Sequence, residues 1–197
     1  MSCLKANYGF VLNGGTIQVW DYAVRDIRRW KFEPGRTLNT PRIGQEMDQW
    51  CWAASALMAA RTNNSSTRTQ SQIVSNVKGS VVNQAATTNE TRNAANFASG
   101  TTNYYVTSGT LSQNTLISEI NAGRPIIILR GWFPDGTNRD GGHFTVIYGY
   151  EMDTNRFLIS DPWPVDNGAL YTRTYAQLLN GAPSGIDTGR WETSIRR

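Results

Sequence analysis

The most constraining stretch of this sequence is Trp50-Cys51-Trp52-Ala53-Ala54-Ser55-Ala56-Leu57-Met58-Ala59-Ala60. It holds neither glycine nor proline, and its small residues suit a compact helix against which other elements pack closely. Asp48 or Gln49 stands near its start. The last third of the chain is β-rich. Pro125-Ile126-Ile127-Ile128-Leu129 reads as a buried strand, and Phe144 to Tyr150 and Arg156 to Ser160 as two more, joined by a turn at Asp153-Thr154-Asn155. Trp191 to Ile195 reads as a closing strand. Helices first and antiparallel strands after predict an α+β fold, an N-terminal helical half packed on a C-terminal antiparallel sheet.

Between these blocks, Gln70 to Val77 reads as a short helix stopped by Gly79. Residues 80–92 are polar, rich in Asn and Thr, and read as loop; Asn93 to Ala98 reads as a further helical turn. Tyr104-Tyr105-Val106 reads as a strand, and Ser112 to Ala122 as an amphipathic helix with Leu116, Ile117 and Ile120 inward, closed by Gly123. Trp132 to Gly142 is a loop rich in Gly and Asp, and Tyr175 to Leu179 a short helix ended by Gly181.

Residues 1–40 form a distinct preface. Phe10-Val11-Leu12 and Thr16 to Trp20, separated by Asn13-Gly14-Gly15, predict a hairpin. Asp21 suits the cap of a short helix carrying Val24, Ile27 and Trp30, ended at Pro34-Gly35. The expected organisation is an N-terminal extension over 1–40, a pro-segment or a partner-binding hairpin, followed by one domain over 41–197.

Charge and composition exclude several classes. With 39% hydrophobic and 17% charged residues, the chain belongs with ordered globular proteins rather than disordered ones. No apolar run approaches the roughly 18–20 residues that span a bilayer, and Met1 to Phe10 carries no legible signal peptide. Nineteen Lys and Arg against fifteen Asp and Glu give +4. These bases are scattered, whereas a nucleic-acid binder clusters them among aromatics, so the pattern speaks against nucleic acid. The excess is compatible with an anionic partner. Two cysteines and one histidine exclude a disulfide framework and a four-ligand Cys/His zinc site. No metal or cofactor is expected.

Those same counts nearly force the cast of any thiol chemistry: Cys51 with His143. Cys51 stands at the predicted helix start, where the dipole and free N–H groups favour a thiolate; a small buried hydrophobe is the competing reading. His143 follows Gly141-Gly142 and opens an apolar strand, the kind of loop–strand junction where sites are placed, although a lone histidine also serves as core. Asp161 ends the next strand, and an antiparallel pair brings it beside His143 to orient the imidazole; a turn-initiating Asp-Pro is its alternative, with Asp153, Asp166 and Asn167 as rival orienters. Gln45 precedes the helix, where its amide suits an oxyanion donor alongside the Cys51 N–H or a plain loop glutamine.

Gln45 through Ala54, Gly142-His143-Phe144 and Ile159-Ser160-Asp161-Pro162 together resemble a papain-like cysteine protease of the compact bacterial type. The nearest groups are bacteriocin-leader peptidases and type III effector proteases of plant pathogens. The resemblance covers residues 40–165. It implies a papain-like fold and hydrolysis of peptide bonds in a peptide or protein substrate. It further implies Cys51 as nucleophile, His143 as base, Asp161 as orienter and Gln45 as oxyanion donor, and a secreted bacterial effector or toxin. Trp52 and Gly142, beside the motif residues, are assigned to substrate binding. Trp50, Trp52, Trp132 and Trp163 either line the cleft and shield the His–Asp pair or pack as core and rim. Two other outcomes share the triad: a thiol acyl-transfer enzyme (a peptidoglycan amidase, glutamine deamidase or transglutaminase-like enzyme), and a catalytically silent binding module.

Overall fold

The computed structural model describes residues 9–13, 16–20, 28–31, 35–135, 137–181 and 189–197, with side chains from residue 35 onward. The chain divides into two compact units, Met1–Gly35 and Arg36–Arg197. In the smaller unit, β1 (Gly9–Asn13), β2 (Thr16–Trp20) and β3 (Arg28–Lys31) form an antiparallel sheet in that order. Asn13 pairs with Thr16, the register of the predicted hairpin. Trp30 lies in β3 opposite Ile17, not in a helix. An aromatic flanked by basic residues, Arg29 and Lys31, fits a paired strand as well as a helix, and pairing with β2 decides it. The rest of that expected helix, 21–27, lies outside the described residues.

The larger unit begins within β4 (Gly35–Thr37), which pairs with β7, and the Leu38 N–H donates to Tyr148 O at 2.9 Å. Residues 36–40 therefore belong to this unit. Three helices follow: α1 (Cys51–Asn63), α2 (Gln70–Lys78) and α3 (Thr88–Ser99). Capping boxes at Thr69/Gln72 and Thr87/Glu90 satisfy the first N–H groups of α2 and α3, and Gly79 and Gly100 end them in the left-handed region. α3 starts five residues before Asn93, inside the polar stretch read as loop. Its buried face is made of Thr91, Ala94, Ala95 and Ala98, so it reads as polar while packing tightly.

The sheet consists of β4, β5 (Tyr105–Ser108), β6 (Ile126–Trp132), β7 (Gly141–Glu151), β8 (Arg156–Asp161), β9 (Ala169–Thr174) and β10 (Arg190–Arg196). Its order is β5-β10-β6-β7-β8-β9, antiparallel throughout that path. The last strand in sequence, β10, covers the expected Trp191 to Ile195 and lies inside the sheet, between β5 and β6. The edge strand β9 carries little sequence signal, because its residues are half-buried or exposed, Leu170 among them, and show no clear alternation.

Two apolar clusters hold the layers together. One packs Trp52, Leu57 and Met58 of α1, Ile73 of α2 and the α3 alanines on Ile127, Val146 and Ile195. The other packs α4 (Gln113–Asn121) through Leu116 and Ile120, and α5 (Tyr175–Asn180) through Leu178, on Ile126, Ile128, Ile147 and Ile159. The alternation of Ile126, Ile127 and Ile128 between the clusters is the period-2 signature of a strand buried on both faces.

Candidate active site

Cys51 is the first residue of α1, which has no side-chain cap and no acidic residue in its first turn. The N–H groups at this end point at whatever lies before Cys51. The helix is tied to the sheet beside the histidine. Ser55, one turn on from Cys51, is fully buried and donates its hydroxyl to Phe144 O at 3.0 Å, the residue next to His143. In the sequence Ser55 shows only as a lone hydroxyl in an alanine-rich helix; its burial and its bond to the strand are set by the fold.

His143 lies near the start of β7 and is 9% exposed. Its Nε2 is 2.6 Å from Asp161 Oδ1. Cys51 lines the same cleft as the ring, and its interaction with the imidazole favours the protonated form. Burial pulls the imidazole pKa down, but the hydrogen bonds to Asp161 and Cys51 and their charges outweigh it, raising the value to about 9. Asp161, fully buried, also accepts from Trp163 N–H at 2.8 Å on Oδ1 and from the Tyr171 hydroxyl at 2.8 Å on Oδ2. Burial alone would raise its pKa; the bond and charge of His143 and these two donors hold it below the usual carboxylate range. Asn167 directs its amide to Val165 O at 3.5 Å.

Gln45 is 1% exposed and lines the same cleft as Cys51 and His143. Its backbone is stitched to the turn after β8: Gln45 N–H donates to Pro162 O and Asp166 N–H to Gln45 O, both at 2.9 Å. Gly44 makes this approach possible, because a Cβ there would run into the Asp166 and Asn167 backbone. Gln70 clamps the segment, donating to Gly44 O at 2.8 Å and accepting from Glu46 N–H at 3.1 Å. The Gln45 amide nitrogen donates to Met47 O and Asp48 O, each at 2.8 Å.

The cleft measures about 1040 Å³, with the α2–α3 side (Lys78, Ala86, Thr87, Glu90) facing the Trp132–Phe144 side. Lys78 and Glu90 pair at 2.7 Å, and Glu90 is held below its ordinary pKa first by that bond. Trp132 stacks on His143 with ring centroids 6.1 Å apart and planes 21° apart. Trp132, Trp163 and Gly142 line the cleft; a Cβ at Gly142 would meet the Arg139 guanidinium and lie 3.0 Å from Arg130 O. Trp52 is placed differently from its expected role. It is fully buried and its indole donates to Gln84 O at 3.0 Å. Adjacent helix residues point about 100° apart, so a helix that turns Cys51 to the cleft turns Trp52 to the core. Trp50 is likewise core, its indole on Val82 O at 2.9 Å.

The sequence profile of the Peptidase_C39 like family matches residues 37–182. The chain belongs to the Peptidase_C39 like family. It is a cysteine protease, a thiol hydrolase whose substrate is a peptide or protein. The fold of this C39-like protease is similar to that of xylellain, a cysteine protease from Xylella fastidiosa. The TM-score is 0.54 and the identity 12%, over 83% of this chain and 85% of that one. This match shows a papain-like fold. Interpain A, a cysteine protease of Prevotella intermedia, matches over 57% of this chain and 45% of its own, with 19% identity and a TM-score of 0.40. No curated protein sequence matches. Among the described residues no helix is long and apolar enough to cross a membrane, and no group of His, Cys, Asp and Glu is arranged to hold a metal ion.

Proposed function

We propose that this protease cleaves peptide bonds through Cys51, His143 and Asp161, with Gln45 and the Cys51 N–H as oxyanion donors. The observation that carries the reading is the 2.6 Å contact of His143 Nε2 with Asp161, at a cleft that Cys51 also lines. The Cys51 sulfur attacks the scissile carbonyl, and the ring proton goes to the leaving amine. Water then attacks the thioester, His143 takes a proton from it, and the acyl group leaves as the acid. A pKa of about 9 keeps the proton on the ring at neutral pH, ready for the leaving amine. Both Gln45 amide hydrogens are directed at the Met47 and Asp48 carbonyls, so Gln45 releases one of them when the oxyanion forms.

The same reading makes the chain a secreted bacterial effector or toxin; its support is the resemblance of residues 45–54 to the effector proteases. The test of the chemistry is a peptide library incubated with wild type, Cys51→Ala and Gln45→Ala, with products read by mass spectrometry. Cys51→Ala is expected to give no new termini. Gln45→Ala is expected to lower kcat about 10²–10³-fold, the cost of losing one oxyanion donor. Cleavage that survives Cys51→Ala overturns the assignment.

A further inference from the structure

Four neighbouring strands bring four polar side chains to one face of the sheet. Arg130 on β6 stands opposite His143 on β7. Asp161 on β8 stands opposite Ala169 on β9, and Tyr171 is two residues further along on the same face. The Tyr171 hydroxyl accepts from Arg130 Nη2 at 2.9 Å and donates to Asp161 Oδ2 at 2.8 Å. The guanidinium itself stays 3.9 Å from Oδ2, and its Nη2 also donates to Thr145 Oγ1 at 3.2 Å. Arg130 is 2% exposed and Asp161 fully buried.

Asp161 therefore lies between two basic side chains, His143 on one oxygen and Arg130 beyond the other. A buried arginine and carboxylate gain most from a direct, two-pronged pair. Closing that pair here would turn the carboxylate away from the imidazole. We propose that Tyr171 is a positioning residue: its hydroxyl keeps Arg130 one hydrogen bond away from Asp161, so that the carboxylate stays aimed at His143. The proposal rests on the Cys51–His143–Asp161 reading above. A phenol suits the place because one oxygen both accepts from the arginine and donates to the carboxylate, which neither an amine nor a carboxylate does there.

The surrounding groups are consistent with this role. Cys51 of α1 lines the cleft with the ring, and the Trp163 N–H holds Oδ1. The Arg173 guanidinium lies over the Tyr171 ring, 4.3 Å from its centroid. Burial raises the Tyr171 pKa well above the ordinary phenol range, with Asp161 adding to the effect, so the hydroxyl remains a donor at every working pH.

The experiment uses the full chain and its single histidine, whose imidazole resonances are therefore unambiguous. In Tyr171→Phe the direct Arg130–Asp161 pair closes. His143 then titrates at least about one pH unit below wild type, and kcat/KM falls about 10–100-fold through kcat rather than KM. In Arg130→Gln, which removes the competing cation, His143 titrates at or above its wild-type value. The double variant recovers the titration lost in Tyr171→Phe. A wild-type titration and kcat/KM in Tyr171→Phe overturns the proposal. So does a downward shift in Arg130→Gln, and this arm stands even where the phenylalanine variant fails to fold. Asp161→Ala separates the two levels. Near-normal turnover there overturns the underlying triad reading and the proposal with it. Loss of turnover there, beside a wild-type-like Tyr171→Phe, overturns the role of Tyr171 alone.

Discussion

His143 and Asp161 sit on neighbouring strands without being opposite each other. The β7–β8 ladder ends at Val146 and Ser160, and the 2.6 Å contact between Nε2 and Oδ1 runs diagonally past that end. A diagonal pair needs a side chain long enough to span it, and imidazole to carboxylate is such a pair.

Asp161→Ala is expected to lower kcat/KM by about 10²–10⁴-fold, because nothing then fixes the imidazole. It also removes the buried acceptor of the Tyr171 hydroxyl and the Trp163 N–H, costing about 1–3 kcal/mol. Chemical denaturation and a kinetic assay on the same preparation separate the two effects. Asn167→Ala is expected to keep near-normal turnover; a collapse there with an active Asp161→Ala would reassign the orienter.

The pH profile follows from His143. A pKa raised from 6.5 to about 9 means that kcat/KM falls on the alkaline side near pH 9, as the ring loses the proton it gives to the leaving amine. Stability follows the same sign. The contribution of the protonated ring is complete below pH 6.5 and is lost as pH rises through about 9. Asp161, shifted downward, contributes above its unfolded value and loses that contribution as pH falls through its folded one. An NMR titration of His143 with a midpoint near 6.5 would contradict the bonding described.

Iodoacetamide is expected to label Cys51 faster than it labels a small-molecule thiol at neutral pH, and to abolish turnover. Peptide mapping after a short pulse identifies the site. Equal rates would remove the support for an activated thiol.

Ser55→Ala tests the strut between helix and strand. Loss of the bond to the buried Phe144 carbonyl should cost about 1–3 kcal/mol. The resulting shift of Cys51 against His143 should lower kcat/KM about tenfold. A stability loss with unchanged kinetics would show that the strut does not set their separation.

Removal of residues 1–34 is expected to leave a soluble, folded chain, since β4 and Leu38 remain in place on β7. Removal through Leu38 also strips β4 and a core leucine and should lower the melting temperature. Circular dichroism on the two truncations checks both outcomes.

The principal partners were legible because the chain offers so few. One histidine and one cysteine at a helix start leave little choice, and Gly79, Ser112 and Gly181 mark helix ends by their own chemistry. What was not legible depended on sheet order. Arg130 and Tyr171 are 41 residues apart and meet only because β6, β7, β8 and β9 are consecutive in space. Of the two readings open for Trp52, its burial supports core packing, since one step along a helix from Cys51 changes the face. The start of α3 was hidden because its buried side is threonine and alanine rather than leucine.

The seam at Gln45 has a consequence for anyone designing an inhibitor. Two backbone bonds, packed where Gly44 leaves no room for a methyl group, rivet the strand-like lead-in of α1 to the turn after β8 at the catalytic end. A hinge that opened the cleft there would have to break both bonds and unseat the Gln70 clamp. A covalent warhead is therefore expected to meet a rigid receptor in which side chains, led by the Gln45 amide, make the adjustment.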